Sequence, residues 1–237
     1  MTTYIQQNSK YWQQGIYDTS SNPETYVFRT YGRILKHDFN LDGSGRENLL
    51  DFGCGGGGNT KFYHDKGFDV YGVDLNPLDI TKIKDKIKKV SHHFKVIAPQ
   101  PNEADIFFDG VKFKIVTALQ SLYYYNDNDL QVRLESLYNQ MDPGGIMFAT
   151  MMHKSCWYYD MSEPSEGGLR HVKLNRKTDE DRDGLLTSNH FINFVNDEDH
   201  LKNIFKMFTP VHIGFYDGCY RTDEGSEKHL TFFGLKP

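Results

Sequence analysis

The stretch that decides the fold reads Leu49-Leu50-Asp51-Phe52-Gly53-Cys54-Gly55-Gly56-Gly57-Gly58-Asn59-Thr60. Apolar residues and one acid run directly into five glycines within six positions, and a polar pair then opens a predicted helix. Glycine serves where a backbone must turn tightly and approach a ligand closely. A second apolar run, which begins at Asp69, ends in another acid, Asp74. A glycine loop followed by a carboxylate on the next strand indicates a site for a nucleoside-containing ligand.

Three classes of ligand compete for this loop. A P-loop places a lysine before its hydroxyl residue, but Asn59 stands at that position, which disfavours a nucleoside triphosphate. The dinucleotide fingerprint G-x-G-x-x-G fits the glycines, with Asp74 about 20 residues further on. The third pattern, D-x-G-x-G-x-G, also uses Asp51, an acid that repels a pyrophosphate and suits a ligand carrying an ammonium group.

The third pattern resembles motif I of the class I S-adenosylmethionine-dependent methyltransferases, and other segments follow in that family's order. They are a strand with its acid at 70–76, a strand at 113–122, a Pro-Gly-Gly turn and strand at 141–149, and a closing strand at 229–235. The resemblance covers residues 45–150 well and residues 190–237 loosely. It implies an α/β fold: a doubly wound, seven-stranded, mostly parallel Rossmann-like sheet with N-terminal helices and a small cap insertion.

Alternating strand and helix patterns favour the same architecture. Strands are predicted at 48–52, 69–74, 94–97, 113–119, 145–151, 211–216 and 229–235, and helices at 4–15, 23–36, 58–66, 77–90, 127–140 and 197–208. The predicted organisation is an N-terminal helical lid over 1–45, a cofactor-binding core over 46–151, a cap over 152–190 and the last part of the core over 191–237.

The resemblance implies S-adenosylmethionine as cofactor and gives each strand end a role in holding it. Gly53, Gly55 and Gly57 would let the backbone approach the methionine part of the cofactor. Asp51 would accept hydrogen bonds from its amino group directly or through water, and Asp74 would accept both ribose hydroxyls. The further candidates for cofactor binding are Tyr11, Trp12, Cys54, Leu75, Asn76, Asn102, Gln120 and Ser121, with Asp105 as an alternative to Asn102 at the adenine.

The sequence contains fewer indications of the methyl acceptor than of the cofactor. Gln120-Ser121-Leu122-Tyr123 stands where enzymes that methylate exocyclic amino groups of DNA bases, or protein glutamine, carry N/D-P-P-Y/F/W. His153, which follows the fifth strand, is the candidate general base, and Tyr123 is the second candidate catalytic residue. We expect methyl transfer to an oxygen or nitrogen of a small metabolite. An NAD-dependent oxidoreductase and a non-catalytic binding subunit with the same fold are the alternatives.

Bulk composition narrows the class of protein further. A chain of 237 residues with a net charge of −5 gives no electrostatic reason to expect nucleic acid as a partner. Three cysteines without paired spacing predict a reducing compartment, and no signal peptide or membrane span is recognisable, so we expect a cytoplasmic monomer or homodimer. The run from Asp179 to Gly184 matches half of a calcium loop, but His190 replaces the closing glutamate, so no metal site is expected.

Overall fold

The apolar segments of the chain pair into two sheets in the computed structural model, which describes residues 3–13, 22–173, 189–220, 223 and 225–237. The strands are β1 (Asn48–Phe52), β2 (Asp69–Asp74), β3 (Phe94–Val96), β4 (Phe113–Ala118), β5 (Met141–Met152), β6 (Ser162–Pro164), β7 (Leu169–Lys173), β8 (Asn189–Asn193), β9 (Thr209–Tyr216) and β10 (His229–Leu235). Seven of them form the main sheet in the order β3-β2-β1-β4-β5-β10-β9. The first five are parallel, and β10 runs antiparallel between β5 and β9. The predicted doubly wound, mostly parallel sheet is confirmed.

Apolar residues lie on both faces of this sheet. Leu49 and Ile115 belong to one buried cluster, whereas their neighbours Leu50 and Val116 belong to another. Because successive strand residues point to opposite faces, the two clusters are the two layers between the sheet and its helices. The helices are α1 (Tyr4–Gln13), α2 (Thr25–Thr30), α3 (Gly58–Lys66), α4 (Pro77–Lys86), α5 (Asp127–Asn139), α6 (Trp157–Asp160) and α7 (Glu198–Ile204).

Several helices end earlier than the sequence pattern predicts. The helix predicted over 77–90 stops at Lys86, because Ile87 has φ −122° and ψ 61°, and a 3₁₀ segment follows over Lys88–His93. The helix predicted over 23–36 is α2 followed by a π-helical turn over Tyr31–Leu35. The helix predicted over 197–208 is the seven-residue α7. Apolar periodicity continues through these turns, so it does not reveal where the hydrogen-bond pattern changes.

The segment after β5 adds a second, three-stranded antiparallel sheet in the order β6-β7-β8. Strand β8 runs through the predicted boundary at 190/191, so this sheet extends to Asn193. Helix α1 packs against β8 through Asn8, whose Oδ1 accepts from the Phe191 N–H at 2.7 Å and whose Nδ2 donates to the Phe191 carbonyl at 3.0 Å. The division into lid, core and cap stays a prediction.

Candidate cofactor and acceptor site

The glycine loop between β1 and α3 lies at the carboxyl edge of the main sheet. Gly53, Gly55 and Gly57 have φ of +78°, +49° and +82°, a left-handed conformation that glycine adopts without strain. A Cβ on Gly53 would lie 2.5 Å from Cβ of Ser121, and one on Gly57 would lie 2.5 Å from Cγ1 of Ile83. The loop therefore fits only without these side chains, and its bare backbone lines a cleft.

Asp74, at the end of β2, is fixed against this loop by two backbone amides. Its Oδ2 accepts from the Gly55 N–H at 2.9 Å, and its Oδ1 accepts from the Asn76 N–H at 2.8 Å. Burial raises the pKa of Asp74, and these two backbone donors oppose that rise. Each carboxylate oxygen can accept more than one hydrogen bond, so the side chain is oriented and still able to accept from a ligand.

The cleft is open to solvent on one side, and residues from several separate elements line it. Four residues predicted to hold the cofactor line it from the loop: Gly53, Cys54, Gly55 and Gly57. Six more line it from other elements: Trp12, Asp74, Leu75, Asn76, Gln120 and Ser121. Tyr11 lies in α1, but its side chain is outside the described part of the structure.

Asp51 does not lie on the described wall of the cleft, which disfavours a direct contact with the amino group; the contact through water stays a prediction. It is buried at the end of β1, where its carboxylate accepts from Thr60 Oγ1 at 2.6 Å and from Thr117 Oγ1 at 2.9 Å. Burial raises the pKa of Asp51 to about 6, against the opposing effect of the two hydroxyls. The side chain ties β1 to α3 and β4, and so supports the loop from behind.

Asn102 and Asp105, the residues predicted at the adenine, also lie away from the described wall. Asn102 is exposed, and its Oδ1 accepts from the Ala104 N–H at 2.9 Å within a turn. Asp105 accepts from Nη1 of the buried Arg133 at 2.8 Å, so its carboxylate is directed towards α5. Ile97 lines the cleft after β3 instead. The local turn chemistry of this segment removes both predicted polar groups from the site.

The two predicted catalytic residues are not at the cleft. His153 Nε2 donates to the Asn196 carbonyl at 2.9 Å, and Nδ1 accepts from the Ser155 N–H at 3.1 Å, so both ring nitrogens hold backbone groups together. Tyr123 is buried in the core, whereas the next residue, Tyr124, lines the cleft. Neither position favours a role in the reaction, and the assignment of His153 and Tyr123 as catalytic residues stays an untested prediction.

Sequence reasoning missed Tyr26, which lines the cleft from α2 and stacks on Tyr216 of β9 at 4.0 Å between ring centroids. Gln120 joins the same group, since its Nε2 donates to the Tyr216 hydroxyl at 3.0 Å. These residues come from separate elements of the chain. No motif unites them, so only the fold brings them together.

All the charged side chains on the described wall of the cleft are acidic. Glu24, Asp74 and Asp79 line it, whereas no lysine, arginine or histidine does so among the described residues. Asp79 lies close to Lys82, with Nζ 3.1 Å from Oδ1, but Lys82 itself is not on the described wall. An acidic and neutral wall attracts cations and repels a pyrophosphate.

A family model described as a methyltransferase domain matches residues 24–208 of the chain. The chain belongs to that methyltransferase family. This membership confirms the family and enzyme class that the motifs predicted.

Solved structures share the fold of this methyltransferase over nearly its whole length. The PH0226 protein of Pyrococcus horikoshii has a TM-score of 0.67 at 16% identity, over 96% of this chain and 99% of that one. An S-adenosylmethionine-dependent methyltransferase of Methanosarcina mazei has a TM-score of 0.64 at 16% identity, over 86% and 97%. The N-methyltransferase NodS of Bradyrhizobium japonicum, in complex with S-adenosylhomocysteine, has a TM-score of 0.59 at 13% identity, over 98% and 99%.

A curated relative matches over a shorter region. The ubiquinone biosynthesis O-methyltransferase of Pelagibacter ubique is 27% identical over 113 residues, which are 47% of this chain and 44% of that protein. The match thus spans less than half of the relative's length.

The wall of the cleft fits S-adenosylmethionine, the cofactor of this family and the one predicted from the loop. The glycines of the loop present bare backbone to the cleft, without side chains that would narrow it. The carboxylates suit a ligand with a sulfonium and an ammonium group, and the same charges disfavour a nicotinamide dinucleotide. That each residue on the wall binds the cofactor stays a prediction.

The described part of the chain contains no group of three or more side chains that could ligate a metal ion. The same residues include no helix long and apolar enough to cross a membrane. The stretch from Asp179 to Gly184 lies outside the described residues, and the expectation that no metal is bound stays a prediction.

Proposed function

We propose that this protein transfers a methyl group from S-adenosylmethionine to an oxygen or nitrogen of a small-molecule acceptor. The observation that carries the proposal is the hydrogen bond from the Gly55 N–H to Asp74, which places a bare backbone and a carboxylate side by side on the wall of one cleft. When bound, the cofactor supplies a methyl group on a sulfonium that a nucleophile can displace directly.

The residues of the chain would bind, orient and exclude water rather than generate an electrophile. Asp74 would accept from the ribose hydroxyls, and Leu75 would pack on the adenine. Gln120 and Ser121 would contact the methionine end. Trp12, held over the cleft by the hydrogen bond from Asn76 Nδ2 to its carbonyl at 3.1 Å, would close the site from α1.

The wall also limits which acceptors are suitable. DNA, RNA and membranes are not proposed as partners, because the described wall carries no cationic group for phosphates. We propose a small acceptor, and an enzyme of the cytoplasm that acts as a monomer or homodimer. The cytoplasmic assignment rests on the three cysteines, none of which is in a disulfide.

Calorimetric titration with S-adenosylhomocysteine, with NAD in a parallel titration, tests this function. We expect micromolar binding of S-adenosylhomocysteine and no heat from NAD. Binding of NAD alone would indicate an oxidoreductase that transfers hydride. Binding of neither ligand would favour a non-catalytic subunit. Release of S-adenosylhomocysteine with an acceptor mixture then separates an enzyme from a protein that only binds the cofactor.

A further inference from the structure

The strand order separates the cleft into two ends. Asp74 follows β2, on one side of the central strand β1, whereas Gln120 follows β4, on the other side. Beyond β4 lie β5, β10 and β9, and Tyr216 is the last residue of β9. If the ribose lies at Asp74, the end of the cleft next to Gln120 is the one left for the acceptor.

Tyr26 has an unusual hydroxyl at this end. The side chain is 9% exposed and lines the cleft. Its hydroxyl is buried and interacts with the nearby Tyr216 hydroxyl, although the pair does not meet strict hydrogen-bond geometry. A buried hydroxyl with an incomplete hydrogen bond gains free energy when a ligand or water completes it. A polar atom of the acceptor is the partner that we assign to it.

The ring of Tyr26 is held rigidly. It stacks on Tyr216 with an interplanar angle of 12°, and Gln120 fixes the Tyr216 hydroxyl from behind. Gln120 itself has φ +53°, an uncommon backbone conformation for a residue with a side chain. Its N–H donates to Thr150 Oγ1 at 2.8 Å, which holds it there. Strain maintained in this way is typical of binding and catalytic sites.

The surroundings of the Tyr26 hydroxyl are acidic and aromatic. Burial raises the pKa of Tyr26, as do the nearby Tyr216 and Glu24. Trp12 and Tyr124, which both line the cleft, make an edge-to-face pair at 5.1 Å. Aromatic faces and a carboxylate attract cations, and the described wall offers no cationic group to pair with an anionic acceptor.

We propose that the acceptor is an amine, bound at the Gln120 end of the cleft by the Tyr26 hydroxyl, the Glu24 carboxylate and the ring of Tyr124. This inference rests on the proposed methyl transfer. The carboxylate and the ring attract the amine as its ammonium ion, which must lose one proton before its nitrogen has a lone pair for the reaction. The described wall offers no histidine or lysine to take that proton, so it is released to solvent at the open side of the cleft.

The chemistry balances with these groups alone. The nitrogen lone pair forms the new C–N bond while the S–C bond breaks, and its electrons stay on sulfur as a neutral thioether. The resulting ammonium then loses its proton to solvent at the open side of the cleft. Until then, Glu24 and the Tyr124 ring stabilise the positive charge that has moved onto nitrogen.

Matched small molecules test the acceptor class on the complex with S-adenosylhomocysteine. Each carbon skeleton is offered as an amine, an alcohol and a carboxylate, beginning with benzylamine, benzyl alcohol and benzoate, and binding is measured by ligand-observed NMR and calorimetry. We expect binding confined to amines, at least tenfold tighter than for the matched alcohols. Equal binding of alcohols, preference for carboxylates, or no amine binding would overturn the proposal.

Two conservative variants identify the role of Tyr26. Tyr26→Phe removes the hydroxyl and should weaken amine binding about tenfold, with affinity for S-adenosylhomocysteine unchanged. Tyr63→Phe is the matched control, because the Tyr63 hydroxyl is also buried without strict hydrogen-bond geometry to a described residue, but does not line the cleft. It should change neither affinity.

The outcomes distinguish the acceptor proposal from the proposed function. Loss of amine binding in both variants, or in neither, would contradict the role of Tyr26. Glu24→Gln should reduce the preference for the amine over the alcohol, and an unchanged preference would contradict the electrostatic part. If the wild-type protein does not bind S-adenosylhomocysteine at all, the methyltransferase function itself fails.

Discussion

The two ends of the cleft are built differently. At the Asp74 end, a short continuous segment supplies the site: the glycine loop, the end of β2 and the start of α4 contact one another through backbone groups. At the Gln120 end, the wall consists of side chains from α1, α2, the end of β4 and, behind them, β9. Backbone geometry tolerates little change, whereas separate side chains can be exchanged one at a time. The end that we propose for the cofactor is therefore the more constrained one, and the end that we propose for the acceptor is where side chains can vary.

Asp74→Ala should cause the largest loss of cofactor affinity. The change removes a carboxylate proposed to accept two ligand hydrogen bonds and leaves the Gly55 and Asn76 amides without their acceptor. Affinity for S-adenosylhomocysteine should fall at least 100-fold, about 3 kcal/mol, by calorimetry. Asp65→Ala, at an exposed carboxylate of α3, is the control and should bind normally. Near-normal affinity of Asp74→Ala for S-adenosylhomocysteine would show that the carboxylate at the end of β2 does not bind the ribose.

Asp51→Asn should change the way in which the protein's free energy of unfolding depends on pH. Because burial raises the pKa of Asp51 from 3.8 to about 6, the folded protein holds this proton to a higher pH than the unfolded chain. The contribution of Asp51 is greatest below pH 4 and declines by about 3 kcal/mol as the pH rises through 6. Urea unfolding across this range should show a flatter profile for Asp51→Asn than for the wild type. Parallel profiles would show that Asp51 titrates normally.

Comparing Gly57→Ala with Gly110→Ala should separate the energetic cost of a steric clash from the cost of backbone strain. Gly57 and Gly110 have similar φ, +82° and +70°, but a Cβ would meet Ile83 at 2.5 Å in the first case and nothing within 4 Å in the second. We expect Gly110→Ala to lower the free energy of unfolding by about 1 kcal/mol, and Gly57→Ala by about 2 kcal/mol or more. Equal losses would mean that Ile83 moves aside readily.

Trp12→Ala should have the smallest effect, because α1 covers the cleft from outside the core sheet. Losing the ring that packs on Tyr124 should weaken S-adenosylhomocysteine about tenfold while the melting temperature changes little. Tyr220→Ala, at a residue that is 83% exposed, is the control. A loss as large as that of Asp74→Ala would make α1 part of the more constrained end.

The sequence predicted the cofactor end because its constraints are local. Glycines at Gly53, Gly55 and Gly57 and an acid at the end of the next strand follow from backbone requirements that a linear pattern can express. Asp51 belongs to the same pattern, yet the pattern does not reveal whether a carboxylate faces the ligand or supports the loop. Its burial beneath Thr60 became visible only in three dimensions.

The acceptor end was beyond sequence reasoning for a physical reason. In the 3₁₀ turn over Leu122–Tyr124, adjacent residues differ by about 120° in direction, so Tyr123 faces the core and Tyr124 faces the cleft. A one-residue difference of this kind cannot be derived from composition. Tyr26 has no distinguishing neighbour in the sequence, and His153 follows a strand end but bonds through Nε2 to the Asn196 carbonyl.

Asn8 has a consequence for self-association. Strand β8 is an edge of the small sheet, and the Asn8 side chain takes up both hydrogen-bonding groups of Phe191 as a neighbouring strand would. Exposed edges invite pairing with another chain. Helix α1 therefore protects this edge, and removing the Asn8 side chain would leave the N–H and carbonyl of Phe191 free to pair with a second molecule.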